Sequence, residues 1–334
     1  MSGQKIRIVD IAEELGLSTA TVSNVIHGKT NKLSQETVKR VQKKLEEKNY
    51  IPNMAGILLA QNNSRIIGVV INDNKKYEGR VLEDGFVAAS LNALSKVANE
   101  KGYFIMIKTT TDWSEISVFG SMWNMDGMIL MGFCEADYKI LRENLRIPFV
   151  IYDGYFEDTK RIVNLVIDHE EGGRLAGAHF KSLGFERALC IADNYICMDK
   201  DRIEGFKEVF GKDNTTVWEI PMLRSKRMDY YNSRLDELMS FDCVFAVSDY
   251  YALDFIRSAQ SMGLKIPEDL SVIGFDDSMD SRDSTPSLTT IHQDANLRAA
   301  TAVEALEKLR AGNDISEKII LPVSLVCRES VKRR

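Results

Sequence analysis

The chain has no apolar run near the ~20 residues that a bilayer-spanning helix requires. Its start, Met1-Ser2-Gly3-Gln4-Lys5, lacks the apolar stretch of a secretion signal, so a cytoplasmic protein that touches no membrane is expected. The five cysteines, Cys134, Cys190, Cys197, Cys243 and Cys327, are odd in number without a C-x-x-C pair, and the four histidines show no close spacing. That excludes a disulfide framework and a zinc site, and the cysteines read as reduced, buried small residues. There is no G-x-S-x-G, no G-x-G-x-x-G and no plausible Cys/His or Ser/His pair, which argues against an enzyme. Gly28-Lys29-Thr30 has the ending of a phosphate loop, but Ser23 stands where the earlier glycine is required and a helical pattern precedes it. Asp276, Asp277, Asp280 and Asp283 lack the glycine turn and closing glutamate of a calcium loop and read as a solvated loop. No cofactor and no metal are expected.

What is present is a soluble globular composition, 44% hydrophobic and 28% charged, in 334 residues, too many for one ordinary core. The net charge of −6 divides unevenly: residues 1–50 carry nine Lys/Arg against six Asp/Glu, a balance of +3, which leaves −9 on the remainder. A basic head on an acidic body suits a protein that offers one face to phosphates.

Ile8, Ile11, Ala12 and Leu15 recur at helical spacing and predict a helix over 8–15 with Glu13 and Glu14 outside. Ala12 lets a second helix approach closely, and Gly16 can take the left-handed turn. Ser18 then caps a second helix with Val22 and Val25 or Ile26 inward, stopped by Gly28. Thr19, Ala20, Ser23 and Asn24 are left outward, where Asn can pair bidentately with adenine and Thr and Ala methyls can touch thymine. Ser34 caps a third helix with Val38, Val41 and Leu45 as its apolar stripe and Lys39, Lys43 and Lys44 around it.

The motif S-T-A-T-V-S-N-V-I-H-G, followed by S-Q-E-T-V-K-R-V and Y-I-P-N, resembles the DNA-binding head of the lactose-repressor (LacI/GalR) family of bacterial transcription regulators. The resemblance implies base contacts from Thr19, Ala20 and Asn24, and a DNA-binding set that also includes Ser23, Lys29, Asn53 and Leu59. Asn24 replaces the family's usual Arg, so the operator text should differ, because an Arg-to-guanine contact does not become an Asn contact. The segment 51–63 resembles the family hinge, which forms a short helix on the operator and wedges one Leu per subunit into the minor groove. By register from Pro52 that residue is Leu59. Gly56 lowers helix propensity there by ~1 kcal/mol relative to Ala, and Ile57-Leu58 replaces a polar or basic stretch.

From Arg65 onward, apolar runs of strand length alternate with helices. Strands are expected at 66–71, 103–107, 125–131 and 149–152, with helices at 85–101, 114–123 and 135–145. A second round starts at Asn164, with strands at 164–167, 188–192, 217–220, 243–247 and 271–275 and helices at 170–183, 201–211, 228–240 and 250–262. Such alternation implies α/β lobes built on doubly wound parallel sheets. I-I-G-V-V-I, V-I-D-H-E-E-G-G-R-L-A, D-R-I-E-G-F, V-F-A-V-S-D-Y-Y-A and I-P-E-D-L-S-V-I-G-F-D-D resemble the family's effector core, which looks like a periplasmic sugar-binding protein. That core crosses between lobes three times, so a helix at 296–311 and a strand at 319–321 should return to the first lobe and the tail should join the second. The expected layout is a small all-α helix-turn-helix head over 1–50, a hinge over 51–63, and a two-lobed effector-binding and dimerisation core over 64–334. Its lobe 1 covers about 64–163 and 294–323, and its lobe 2 about 164–291 and 324–334.

Ligands of open α/β folds bind where strands end at a crevice. The polar residues just past expected strands are Asp153, Ser248, Asp249 and Asp276, and Arg202 opens a helix on the same side. Asp249 reads as the cap of the following helix and Asp277 as a loop holder. The resemblance implies effector contacts from Asp153, Arg202, Ser248 and Asp276, a set that can fork hydrogen bonds to a polyol or an anion. Ser248 stands where Asn is frequent and shortens the reach. Phe86, Tyr195 and Trp218 could stack on a sugar, although large aromatics more often sit in cores.

The expected protein is a homodimeric repressor, nucleoid-associated when bound to operator DNA, and controlled by a sugar or sugar-derived effector. No heptad tail follows the core to build a tetramer. A phosphorylated carrier protein as corepressor is the variant form. A sugar sensor that ignores DNA would make the basic head superfluous, and an enzyme on the same body should show a base and nucleophile pair or a phosphate loop.

Overall fold

In a computed structural model, the structure describes residues 6–51, 64–133, 145, 147–152, 154, 162–312 and 316–332. The chain forms two compact units, Met1–Ser64 and Arg65–Arg334. In the first, helices α1 (Ile8–Leu15), α2 (Thr19–Ile26) and α3 (Gln35–Glu47) enclose a core of Ile11, Ala12, Val22, Val25 and Val41. Gly16 closes α1 in the left-handed conformation at φ +64°, which lets the Leu17 amide donate to the Ala12 carbonyl at 2.9 Å. Ser18 and Ser34 each accept the amide three residues on at 3.1 Å, so both later helices start where the hydroxyl cap dictates.

The second unit carries two six-stranded sheets. Strands β1 (Ile66–Asn72), β2 (Phe104–Thr110), β3 (Gly127–Met131), β4 (Phe149–Tyr152) and β5 (Ile162–Ile167) join β11 (Ser316–Leu321) in the all-parallel order β11-β5-β4-β3-β1-β2. The other sheet has β6 (Ala188–Ala192), β7 (Thr215–Glu219), β8 (Cys243–Ala246), β9 (Ser271–Asp276), β10 (Thr289–Gln293) and β12 (Val323–Val326), ordered β12-β10-β9-β8-β6-β7. Among the described strands, only β12 runs antiparallel, against β10. The central strands are buried along their whole length, as runs such as Gly127–Met131 and Ala188–Ala192 require.

Three expectations are corrected. The strand starting the second round belongs to the first sheet, where it lies between β4 and β11, so the chain crosses at Asp168 rather than at Asn164. At the other end Val323 already opens β12 of the second sheet. The single helix expected over 228–240 is a 3-10 turn followed by two short helices, Arg227–Asn232 and Leu235–Leu238. Arg227 is fully buried there and donates to the Pro221 and Met222 carbonyls and to Asp254, while Ser233 Oγ bonds the Tyr230 carbonyl at the break. The helix expected at 135–145 falls almost entirely outside the described residues.

All three crossings lie together. At the first, Asp168 caps the helix His169–Ser182, and its amide donates to the carbonyl of Leu321, beside the third crossing, at 2.9 Å. At the second, Asp294 caps the helix Ala295–Arg310, which packs on the first sheet. Helix His169–Ser182 in turn packs on helix Cys197–Phe210 at backbone contact. A Cβ on Gly173 would stand 2.0 Å from the Arg202 carbonyl oxygen, and one on Gly205 2.0 Å from that of Glu170. Gly173→Ala should therefore push the two helices apart and cost about 1–3 kcal/mol by overpacking. Chemical denaturation of the full chain measures this, and an unchanged midpoint would refute the contact.

Candidate functional sites

On the head, Val22 and Val25 turn one side of α2 into the core, which leaves Thr19, Ala20 and Asn24 exposed and Ser23 half-buried at its edge. Lys29 is exposed just past the helix, and its amide donates to the Asn24 carbonyl at 2.8 Å, which fixes where the chain leaves α2. Glu14 is less idle than its outward position suggests. It pairs with Lys44 at 3.3 Å and with Lys48 at 2.5 Å, so part of the positive charge of α3 is answered within the head. Asn53 and Leu59 lie outside the described residues.

In the body, a cavity of about 270 Å³ opens between the carboxyl ends of the two sheets and brings together Arg202, Ser248 and Asp276. Asp153 lies outside the described residues. Arg202 is buried, with its guanidinium 3.7 Å from the Phe275 ring centre. It donates to His169 Nδ1 at 3.1 Å and to the Val247 carbonyl at 2.5 Å, and it stands 3.9 Å from Asp276 Oδ1. Stacking and these bonds hold the cation rigid at the strand ends. Asp276 sits at φ +122° and is followed by Asp277 at φ +56°, two strained non-glycine residues in succession. Its Oδ1 accepts from Gln293 Nε2 at 2.7 Å, and Gln293 Oε1 accepts from Arg298 at 2.6 Å. Arg298 lies 4.0 Å over the Tyr152 ring, so a polar chain runs from Asp276 on the second sheet to the core of the first lobe.

Ser248, not Asp249, caps the helix Asp249–Ser261. Asp249 is instead buried, accepting the Ser278 amide at 2.8 Å and the Thr290 hydroxyl at 2.6 Å. Burial pushes its carboxyl up to about 6 despite those donors. Asp277 is bonded by Arg282 at 2.8 Å and His292 at 2.9 Å, and also by Arg328; burial alone would raise its carboxyl, but these donors outweigh that and lower it. Phe86 lines the cavity. Trp218 is buried against Tyr230 and Phe241, and the Tyr195 hydroxyl is bonded to Glu204 and Lys207.

Further residues complete the cavity: Lys76 and Tyr77 on a 3-10 turn, Asp193 just past β6, Asp199 in the helix Cys197–Phe210, and Tyr250 and Tyr251 in the helix Asp249–Ser261. Asp193 is the first residue past β6 and could have been found by the same strand-end rule that marks Asp276. The Tyr250 hydroxyl donates to the Lys76 carbonyl at 3.0 Å, a direct bond between the lobes at the cavity wall.

Residues 7–53 match the bacterial regulatory proteins of the lacI family, and residues 178–331 match the periplasmic binding protein-like domain. The chain is 30% identical to an HTH-type transcriptional repressor, PurR, of Aliivibrio fischeri, over 98% of both chains. Its fold superposes on a lac repressor dimer bound to operator and the anti-inducer ONPF with a TM-score of 0.84, at 24% identity over 98% of this chain and 99% of that one. A periplasmic binding protein/LacI transcriptional regulator from Alkaliphilus metalliredigens, complexed with D-xylulofuranose, matches 80% of this chain and all of its own length at 25% identity and a TM-score of 0.68.

Proposed function

Since the chain belongs to the lacI family of bacterial regulatory proteins, we propose that it is a cytoplasmic, homodimeric repressor that reads its operator through α2 and is switched by a sugar or sugar-derived molecule held by Arg202, Ser248 and Asp276. It is a transcriptional regulator, as its named relatives are, rather than an enzyme. The observation that carries the reading is the junction of those three side chains at the strand ends of a cavity walled by both lobes. A ligand that bridges Asp276 and the turn at Lys76 gains contacts only while the lobes are closed. It thereby shifts the lobe equilibrium by its difference in affinity for the two states. Gln293 and Arg298 offer the path by which that shift reaches the first lobe.

On DNA, Thr19, Ala20, Ser23, Asn24 and Lys29 form the reading set, with Asn53 following and Leu59 as the minor-groove wedge. Asn24→Ala should cost about 1–3 kcal/mol on the selected operator, roughly 10-fold or more in affinity, and leave binding to random DNA unchanged. Selection of the operator from random sequence followed by gel-shift titration tests this. Equal losses on both DNAs would remove Asn24 from base reading.

Dimerisation is assigned to the first lobe, where β2 is a sheet edge and Phe104, Val118, Met122 and Trp123 are exposed. Light scattering should give a dimer at micromolar concentration and a monomer for Phe104→Glu paired with Val118→Glu, and a wild-type monomer or tetramer contradicts the assignment. A phosphorylated carrier protein as corepressor is the finer variant, which a pull-down decides.

A further inference from the structure

The cavity between the lobes is unbalanced in charge. Among the described residues, four carboxylates, those of Asp84, Asp193, Asp199 and Asp276, line it against two cations, Lys76 and Arg202. Arg202 is already committed to His169, the Val247 carbonyl, the Phe275 face and Asp276. Among the described residues, no Lys, Arg or His nitrogen comes within 4.0 Å of a carboxylate oxygen of Asp84, Asp193 or Asp199. Asp84 accepts the Phe86 and Val87 amides, and Asp193 and Asp199 share the side-chain amide of Asn194. A second recess of about 220 Å³ continues past Tyr77 and Tyr250, with Glu78, Glu83 and Asp280 among its walls beside Arg80, Arg224 and Arg257.

The aromatic walls point the same way. The Lys76 ammonium stands 5.0 Å from the Tyr77 ring centre and 5.6 Å from that of Tyr251, so these faces already receive a cation. Tyr251 is 1% exposed, and its hydroxyl is directed at the Asp193 carboxylate. A buried hydroxyl and three carboxylates without an ion pair around one cavity form an incomplete shell whose missing member is a donor bearing positive charge. An anion would meet Arg202, which other groups already answer, and Lys76, whose surroundings are carboxylates.

We propose that this cavity takes a small organic cation, a ligand with at least one protonated amine seated between Asp193, Asp199 and the tyrosine faces. Lys76 holds that place until the ligand arrives. The proposal rests on the cleft being the effector site and narrows the effector to amine-bearing molecules, for which amino sugars and short aliphatic polyamines are the two sources. Both are protonated at neutral pH, and only the first also offers hydroxyls to Ser248 and Asp276.

Calorimetric titration of the full-length protein with D-glucosamine, putrescine, D-glucose and D-gluconate tests it. At least one amine should bind at about 1 mM or tighter and at least 10-fold more tightly than D-glucose, with D-gluconate giving no heat. Asp193→Asn and Asp199→Asn should each weaken that amine 10-fold or more, while Lys76→Gln should strengthen it by removing the competing ammonium. D-glucosamine ahead of putrescine assigns an amino sugar, and the reverse a polyamine. No heat from either amine, tighter binding of D-glucose or D-gluconate, or weaker amine binding in Lys76→Gln overturns the proposal. If D-glucose binds best and Asp276→Asn abolishes it, the cleft remains the effector site with a neutral ligand. If a probe binds and none of these variants changes it, the cleft reading itself is lost.

Discussion

Val22→Asp is expected to abolish operator binding while the body still binds its effector. Val22 is wholly buried, and it joins α2 to Ile11 and Ala12 of α1 in a core of five buried side chains. Removing an aliphatic side chain from such a site costs about 1.5–3 kcal/mol of burial, and an unpaired carboxylate in its place costs several kcal/mol more. A unit this small has a net stability of only about 0.05–0.15 kcal/mol per residue, so the sum exceeds what it has. Gel-shift titration on the selected operator, with calorimetry of effector binding in parallel, reads both halves of the expectation. Operator affinity within about 10-fold of wild type would mean that α2 is not anchored through Val22.

Asp276→Asn should do the reverse. The amide keeps the size and the bond to Gln293, but it withdraws the charge that faces Arg202 and the cavity. Arg202 keeps His169 and the Val247 carbonyl, so the body should stay folded. Effector affinity should fall by about 100-fold, the size of a lost charge-assisted bond in a desolvated site, about 2–3 kcal/mol. Operator affinity without effector should be unchanged. A variant that responds at the wild-type effector concentration, or that no longer binds DNA, would show that Asp276 does not hold the ligand.

The head was open to reading because its determinants are local: Ser18, Gly16 and Ser34 set helix ends through bonds within three to five residues, and Val22 repeats with Val25 on one face. In the body, buried parallel strands are equally apolar on both faces, so the run Ile162–Ile167 says that it is a strand without saying which sheet it joins. β10 was harder, since Thr-Thr-Ile-His-Gln carries too little hydropathy to announce a strand, and neighbours β9 and β12 supply its order. Arg202, Ser248 and Asp276 were found because strand ends and helix starts are marked by the pattern. Lys76 and Tyr77 were not, because they reach the cavity from a three-residue turn whose position depends on a bond from Tyr250, 174 positions along the chain.

The triple crossing has a consequence for how the protein is made. Its first sheet is finished by β11, and its second by β12 directly after. Neither sheet is therefore complete until β11 and β12 have been synthesised, long after the head has emerged. The head needs nothing beyond its own first fifty or so residues and can fold as soon as they emerge. A nascent or truncated polypeptide thus gains its DNA-binding helices long before it gains an effector site. Stalled or prematurely terminated products would be able to occupy DNA without being answerable to the small molecule that governs the finished protein.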